Sequence, residues 1–108
     1  MFFLLVPTLP PSNVTAQVIN SSSIIVRWDP VPVEGRNGII LGYEAWYRKI
    51  VVPPVWKRME SCGVYWCEAT NLEMDNPYRI SVRGFTVKGV GPFASVEAIT
   101  EKNGKVLI

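Results

Sequence analysis

Tyr78-Arg79-Ile80-Ser81-Val82-Arg83-Gly84 is the stretch on which the reading of this chain turns. Tyr78, Ile80, Val82 and Gly84 fall on one face of an extended run and Arg79, Ser81 and Arg83 on the other, the period of two that marks a half-buried strand. The same period recurs upstream in Ile40 to Lys49, where Leu41, Tyr43, Ala45 and Tyr47 are expected in the core and Glu44, Trp46 and Arg48 outside. Ser22 to Trp28 groups Ile24, Val26 and Trp28 with Arg27 opposite, and Asn13 to Ile19 groups Val14, Ala16 and Val18 behind the edge-protecting Pro10 and Pro11. Val55 to Met59, Trp66 to Leu72 and Ala94 to Thr100 complete the set. Prolines and glycines gather between the runs, at Pro7 to Pro11, Pro30 to Gly38, Val52 to Pro54 and Val87 to Pro92. No apolar 3.6-residue period persists for three turns. The expectation is an all-β chain of about seven antiparallel strands, a two-sheet β-sandwich of the immunoglobulin-like kind.

With 108 residues the chain has room for one domain with its own core. Its hydrophobic share of 48% against 19% charged residues excludes intrinsic disorder, and a net charge of +2 is too small for a dedicated nucleic-acid binder. Histidine is absent, which removes Ser-His-Asp and Cys-His catalysis and most zinc sites. No residue is therefore assigned to catalysis, to a metal or to a cofactor, and Glu68, Glu73 and Asp75 read as solvated or capping residues of one corner. No apolar run approaches the roughly 20 residues of a bilayer-spanning helix, so this segment is expected not to insert into a membrane by itself. Met1 to Val6 stops at Pro7, short of a signal-peptide core and without a basic leader or small-residue cleavage site.

Two features point to the secretory pathway. Asn13-Val14-Thr15 and Asn20-Ser21-Ser22 are N-glycosylation acceptor patterns, whose other reading is two ordinary surface asparagines. Cys62 and Cys67 enclose Gly63 to Trp66, and a disulfide closing so short a loop contributes about 2 kcal/mol in the chain-entropy account, a local staple. Two cysteines without histidine are too few for structural zinc, and their spacing is not Cys-x-x-Cys; the other reading is a pair of reduced thiols in a cytosolic protein.

Particular residues narrow the sandwich. An antibody-type domain carries cysteines on its second and sixth strands and a tryptophan on its third; here Trp28 stands on the second strand and the cysteines lie five positions apart. The ordered set runs Pro10-Pro11, Val14, Ala16, Ser23-Ile24-Ile25-Val26-Arg27-Trp28 and Pro30. It continues with Asn37-Gly38-Ile39-Ile40-Leu41-Gly42-Tyr43-Glu44-Ala45-Trp46-Tyr47-Arg48, then Leu72 with Tyr78 six residues on. Ile80, Val82, Gly89-Val90-Gly91-Pro92, Ser95 and Thr100 close it. In this set the chain resembles a fibronectin type III domain across residues 9–101, leaving 1–8 as linker or the end of a preceding unit and 102–108 as linker or tail. Met74 stands where that family often has proline, Gly84 where alanine is usual, and the cysteine pair is extra. The resemblance implies that Trp28 fills the centre of the sandwich, surrounded by Val26, Tyr43 and Tyr47. It implies a tyrosine corner in which the Tyr78 hydroxyl bonds a backbone group near Leu72. Gly89 and Gly91 are expected at positive φ in the turn before the last strand.

Domains of that family are not catalytic, and they occur in tandem arrays in adhesion molecules, receptor-type tyrosine phosphatases and matrix proteins. The implied role is an extracellular protein-binding and cell-adhesion module within a secreted or single-pass membrane protein, in contact with neighbouring domains and a protein partner. Candidate contacts are the outward side chains Trp46, Arg48, Lys57, Arg79 and Arg83, since an exposed indole beside arginines suits an anchor. The other reading of Trp46 is structural, covered by the stems of Arg79 or Arg83. A passive spacer is the alternative role. Glycosaminoglycan binding is a further one, resting on Arg48, Lys49, Lys57, Arg58, Arg79, Arg83 and Lys88 and diluted by Glu44 and Glu60. No Arg-Gly-Asp occurs, which closes that integrin-binding route.

Overall fold

The computed structural model describes residues 5–102, so the first residues of the expected leading segment and nearly all of the tail lie outside the described residues. Alternating burial along the chain produces β1 (Ser12–Asn20), β2 (Ser23–Asp29), β3 (Gly42–Lys49), β4 (Lys57–Arg58), β5 (Ser61–Cys62), β6 (Trp66–Ala69), β7 (Pro77–Thr86), β8 (Gly89–Val90) and β9 (Ala94–Ile99). One sheet has the order β1-β2-β6-β5; the other runs β4-β3-β7, with β8 and β9 both on the far side of β7. All pairings are antiparallel, and the two sheets form a β-sandwich.

The core lies between the sheets. Ile24, Val26 and Trp28 of β2, Cys67 and Ala69 of β6, Ala45 of β3 and Tyr78, Ile80 and Val82 of β7 are all buried, with Met59 and Leu72 closing the cluster. Each such isoleucine or valine contributes roughly 1.5–3 kcal/mol by leaving water. The Trp28 ring lies 5.8 Å from that of Tyr43 in a tilted arrangement, and Tyr47 meets Tyr78 at 6.4 Å. Two phenols tie connections to this core: Tyr43 Oη accepts the Val31 N–H at 2.9 Å and Tyr78 Oη accepts the Glu73 N–H at 2.8 Å.

Four local expectations change. Leu41 is 59% exposed, because β3 opens only at Gly42 and Leu41 sits past the last residue the facing sheet covers. The run Val55 to Met59 keeps only the two residues of β4, since Pro53 and Pro54 upstream offer no N–H to a ladder. β6 ends at Ala69, and Asn71 takes a positive φ of 58° that turns the chain towards the other sheet. Gly89 has φ 143°, but Gly91 does not share that conformation: a Cβ there would stand 2.7 Å from the Pro7 Cβ, so close approach requires the glycine.

Chain entry and exit lie at opposite ends of β7. Near Thr86 the Leu5 N–H donates to Asn37 O at 3.0 Å, Thr86 Oγ1 donates to Leu5 O at 2.8 Å, and the Thr8 N–H donates to Gly35 O at 2.9 Å. Leu5 to Thr8 thus lie bonded along the domain. Near Pro77 the buried Thr100 hydroxyl donates to Glu73 O at 2.7 Å and accepts the Asn76 N–H at 3.1 Å.

Candidate partner-binding surface

Register fixes what the outer face of the β4-β3-β7-β9 sheet presents. Trp46 stands between Arg58 of β4 and Ser81 of β7, and Ser81 faces Ser95 of β9 with their hydroxyls 2.7 Å apart. One row away, Glu44 faces Arg83; on the other side, Arg48 faces Arg79, which faces Glu97.

Glu44 is the hub of this face. Its carboxylate accepts hydrogen bonds from Arg83 and from the Trp46 indole N–H at 3.2 Å, with Arg58 3.8 Å away. Arg83 also lies over the Phe93 ring at 4.4 Å, and Arg79 pairs with Glu97 at 3.2 Å. Three of the five expected contact residues, Trp46, Arg79 and Arg83, are therefore held by partners within the domain. Partial burial of Glu44 raises its pKa, but the hydrogen bonds from Arg83 and Trp46 and the charges of Arg83 and Arg58 outweigh that and hold it below the ordinary value. A depressed carboxylate stabilises the fold above its unfolded pKa and loses that contribution as pH falls through the folded one. Glu44→Gln is therefore expected to lower the thermal midpoint at neutral pH, with the gap to the wild type closing as pH drops below about 4. Scanning calorimetry across that range checks this, and a gap independent of pH would contradict it.

Arg48 and Lys57 differ from these. The Arg48 guanidinium lies 5.4 Å from the centre of the Trp56 ring, and Lys57, exposed on β4, pairs with Tyr47 and so shares that residue's face instead of pointing outward with Trp46 as expected; among the described residues neither has a carboxylate within ion-pair distance. They open onto a groove of about 330 Å³ whose walls include Val51, Val55, Tyr47 and Leu72, closed on one side by the Lys49–Glu73 ion pair. Glu73, hydrogen-bonded to Lys49, raises the ammonium's pKa above its ordinary value. Val51, Val52, Val55 and Trp56 form an exposed apolar loop, Val52 being 96% exposed. Sequence reasoning passed over this loop as a turn and a strand. The run Val51-Val52-Pro53-Pro54-Val55-Trp56 carried the signal, because paired prolines bar a central strand and leave its apolar side chains no sheet in which to bury.

The remaining candidate residues lie on the other sheet. Cys62 and Cys67 face each other in register and are joined by a disulfide between β5 and β6. Asn13 is exposed on β1 with its side-chain amide donating to Asp29 at 2.8 Å. Asn20, also exposed, accepts the Ser22 N–H at 2.9 Å in the turn to β2, leaving its own amide nitrogen without a bond among the described residues. Among the described residues no cluster of Cys, Asp and Glu could hold a metal ion, and no helix is long and apolar enough to cross a membrane.

Residues 9–101 match the family model described as fibronectin type III domain. The netrin receptor DCC of Homo sapiens is 39% identical over 87 residues, covering 81% of this chain and 6% of that protein. Protein sidekick-1 of Homo sapiens is 33% identical over 97 residues, covering 88% of this chain and 4% of that protein. The chain thus spans a small fraction of the length of these relatives. The solution structure of the third fibronectin III domain of human KIAA0343 protein superposes with a TM-score of 0.80 at 27% identity, covering 95% of this chain and 90% of that one. Sandwich topology, core and relatives agree: the chain belongs to the fibronectin type III domain family.

Proposed function

We propose that this domain is a non-catalytic extracellular recognition module, one repeat of a larger receptor, adhesion or matrix protein, and that its partner contact is centred on Arg48, Lys57 and the adjoining Trp56 loop. The observation that carries this reading is the contrast on one sheet: Trp46, Arg79 and Arg83 are bonded to carboxylates of the domain, whereas Arg48 and Lys57 have none within reach among the described residues and border an exposed apolar loop. An aromatic and an arginine beside apolar surface form the kind of cluster that dominates protein interfaces. Relatives that include a protein named as a receptor support the setting, and a disulfide favours an oxidising compartment. Asn20 is the better presented of the two glycan acceptors, being free of the Asp29 contact that holds Asn13. Lys49, Arg58, Arg79 and Arg83 are each paired with a carboxylate, which argues against a glycosaminoglycan as the principal ligand.

Screening the chain against an array of recombinant ectodomains tests the reading. The expected result is a binder whose signal disappears with Lys57→Glu and survives Gln17→Glu on the opposite sheet. A binder insensitive to the first and lost with the second would overturn the placement. Equal silence of wild type and variants across a broad array favours the spacer role.

A further inference from the structure

We infer that the groove between the Val51–Lys57 loop and the β6–β7 connection takes an acidic, partly apolar segment of a partner protein, its carboxylates meeting Arg48 and Lys57 beside an aliphatic or aromatic side chain. This rests on the recognition reading above and names the chemistry of its partner.

Three observations converge on that occupant. The other cations of this sheet each have a carboxylate within reach: Lys49 has Glu73, Arg79 has Glu97, and Arg58 and Arg83 share Glu44. Arg48 and Lys57 are the two groove cations for which the domain supplies no carboxylate among the described residues, so the missing counter-charge comes from outside. Next, Arg48 is presented in a fixed pose. Its Nε is buried without a hydrogen-bond partner among the described residues, and its guanidinium lies against Trp56, which limits the freedom lost when a carboxylate binds the exposed edge. Last, the walls are mixed. Val51 and Val55 are exposed and apolar beside the Tyr47 ring, a surface that gains from covering by a hydrophobic side chain and that a sulfated polysaccharide leaves unused. Two unmatched cations also fall short of the basic run a polyanion needs for tight binding.

The test is selection of random dodecapeptides by messenger-RNA display on the intact 108-residue chain, with parallel selections on Arg48→Gln/Lys57→Gln and on Val55→Asp. Circular dichroism and thermal unfolding establish that both variants remain folded; Val55 is 63% exposed, so its substitution leaves the core untouched. The expected result is enrichment of peptides with Asp or Glu next to Leu, Ile, Val or an aromatic, whose affinity falls about tenfold or more on each variant. Enriched peptides without acidic residues, bound equally by the variants, would overturn the groove assignment while leaving a recognition module in place. No enrichment over a blank support would overturn both. A heparin decasaccharide that binds the chain and loses affinity on the double variant, with no peptide enriched, would assign the groove to sulfated glycans and overturn the inference.

Discussion

Trp28→Ala is expected to lower the unfolding free energy by about 3–5 kcal/mol, a large part of what a domain of this size possesses. The indole fills the space between β2 and β3 at 4% exposure, against Tyr43 and among Ile24, Val26 and Val82, so its removal leaves a cavity that rigid strands on both sides are slow to close. Trp28→Phe is expected to cost much less. The buried Trp28 Nε1 has no hydrogen-bond partner among the described residues, and phenylalanine removes that donor while keeping most of the ring. Urea unfolding of the two variants beside the wild type measures both effects. A loss under 1 kcal/mol for alanine, or equal losses for the two, would contradict the core as described.

Tyr78→Phe is expected to cost about 1–3 kcal/mol through one atom. Its hydroxyl accepts the Glu73 N–H at 2.8 Å from a side chain only 5% exposed, so water cannot replace it. Thr100, also buried, donates to the Glu73 carbonyl, so both polar groups of that one peptide segment depend on side chains from β7 and the end of β9. A Tyr78→Phe/Thr100→Val double-mutant cycle should therefore show coupling of more than about 0.5 kcal/mol. Tyr43→Phe gives the internal comparison. Its hydroxyl makes the same kind of bond to Val31 but from a half-buried side chain, and its loss should be the smaller. Equal losses for the two tyrosines, or strict additivity with Thr100, would show that the corner is not the tie described.

The sandwich was legible in the sequence because its information is local. Period-two alternation at Ile24, Val26, Trp28 and at Tyr78, Ile80, Val82 fixes which faces turn inward, and the buried cluster contains all six. Errors fall where tertiary context overrides the period. Leu41 continues the inward face of β3 by count but lies beyond the reach of the other sheet, and Gly91 is small because Pro7 needs the space, a contact between residues distant in sequence. The functional face was legible as a set of outward side chains but not as a network. Nothing in the spacing of Glu44, Arg58 and Arg83 states that one carboxylate gathers two guanidiniums and an indole, since that depends on register across three strands. Trp56 was missed for the converse reason: its apolar neighbours suggested a strand, and only the ladder's shortness shows it exposed.

The most direct measurement is a paired one, taking Trp46→Ala and Trp56→Ala through thermal unfolding and through binding to whichever ectodomain the array identifies. Trp46 is half-buried and bonded to Glu44, whereas Trp56 is 42% exposed beside Arg48. The account predicts that Trp46→Ala lowers the unfolding midpoint and leaves affinity within about twofold, while Trp56→Ala leaves the midpoint nearly unchanged and weakens binding by about tenfold or more. The reverse pattern, stability held by Trp56 and affinity by Trp46, would contradict the placement of the contact at the Val51–Lys57 corner.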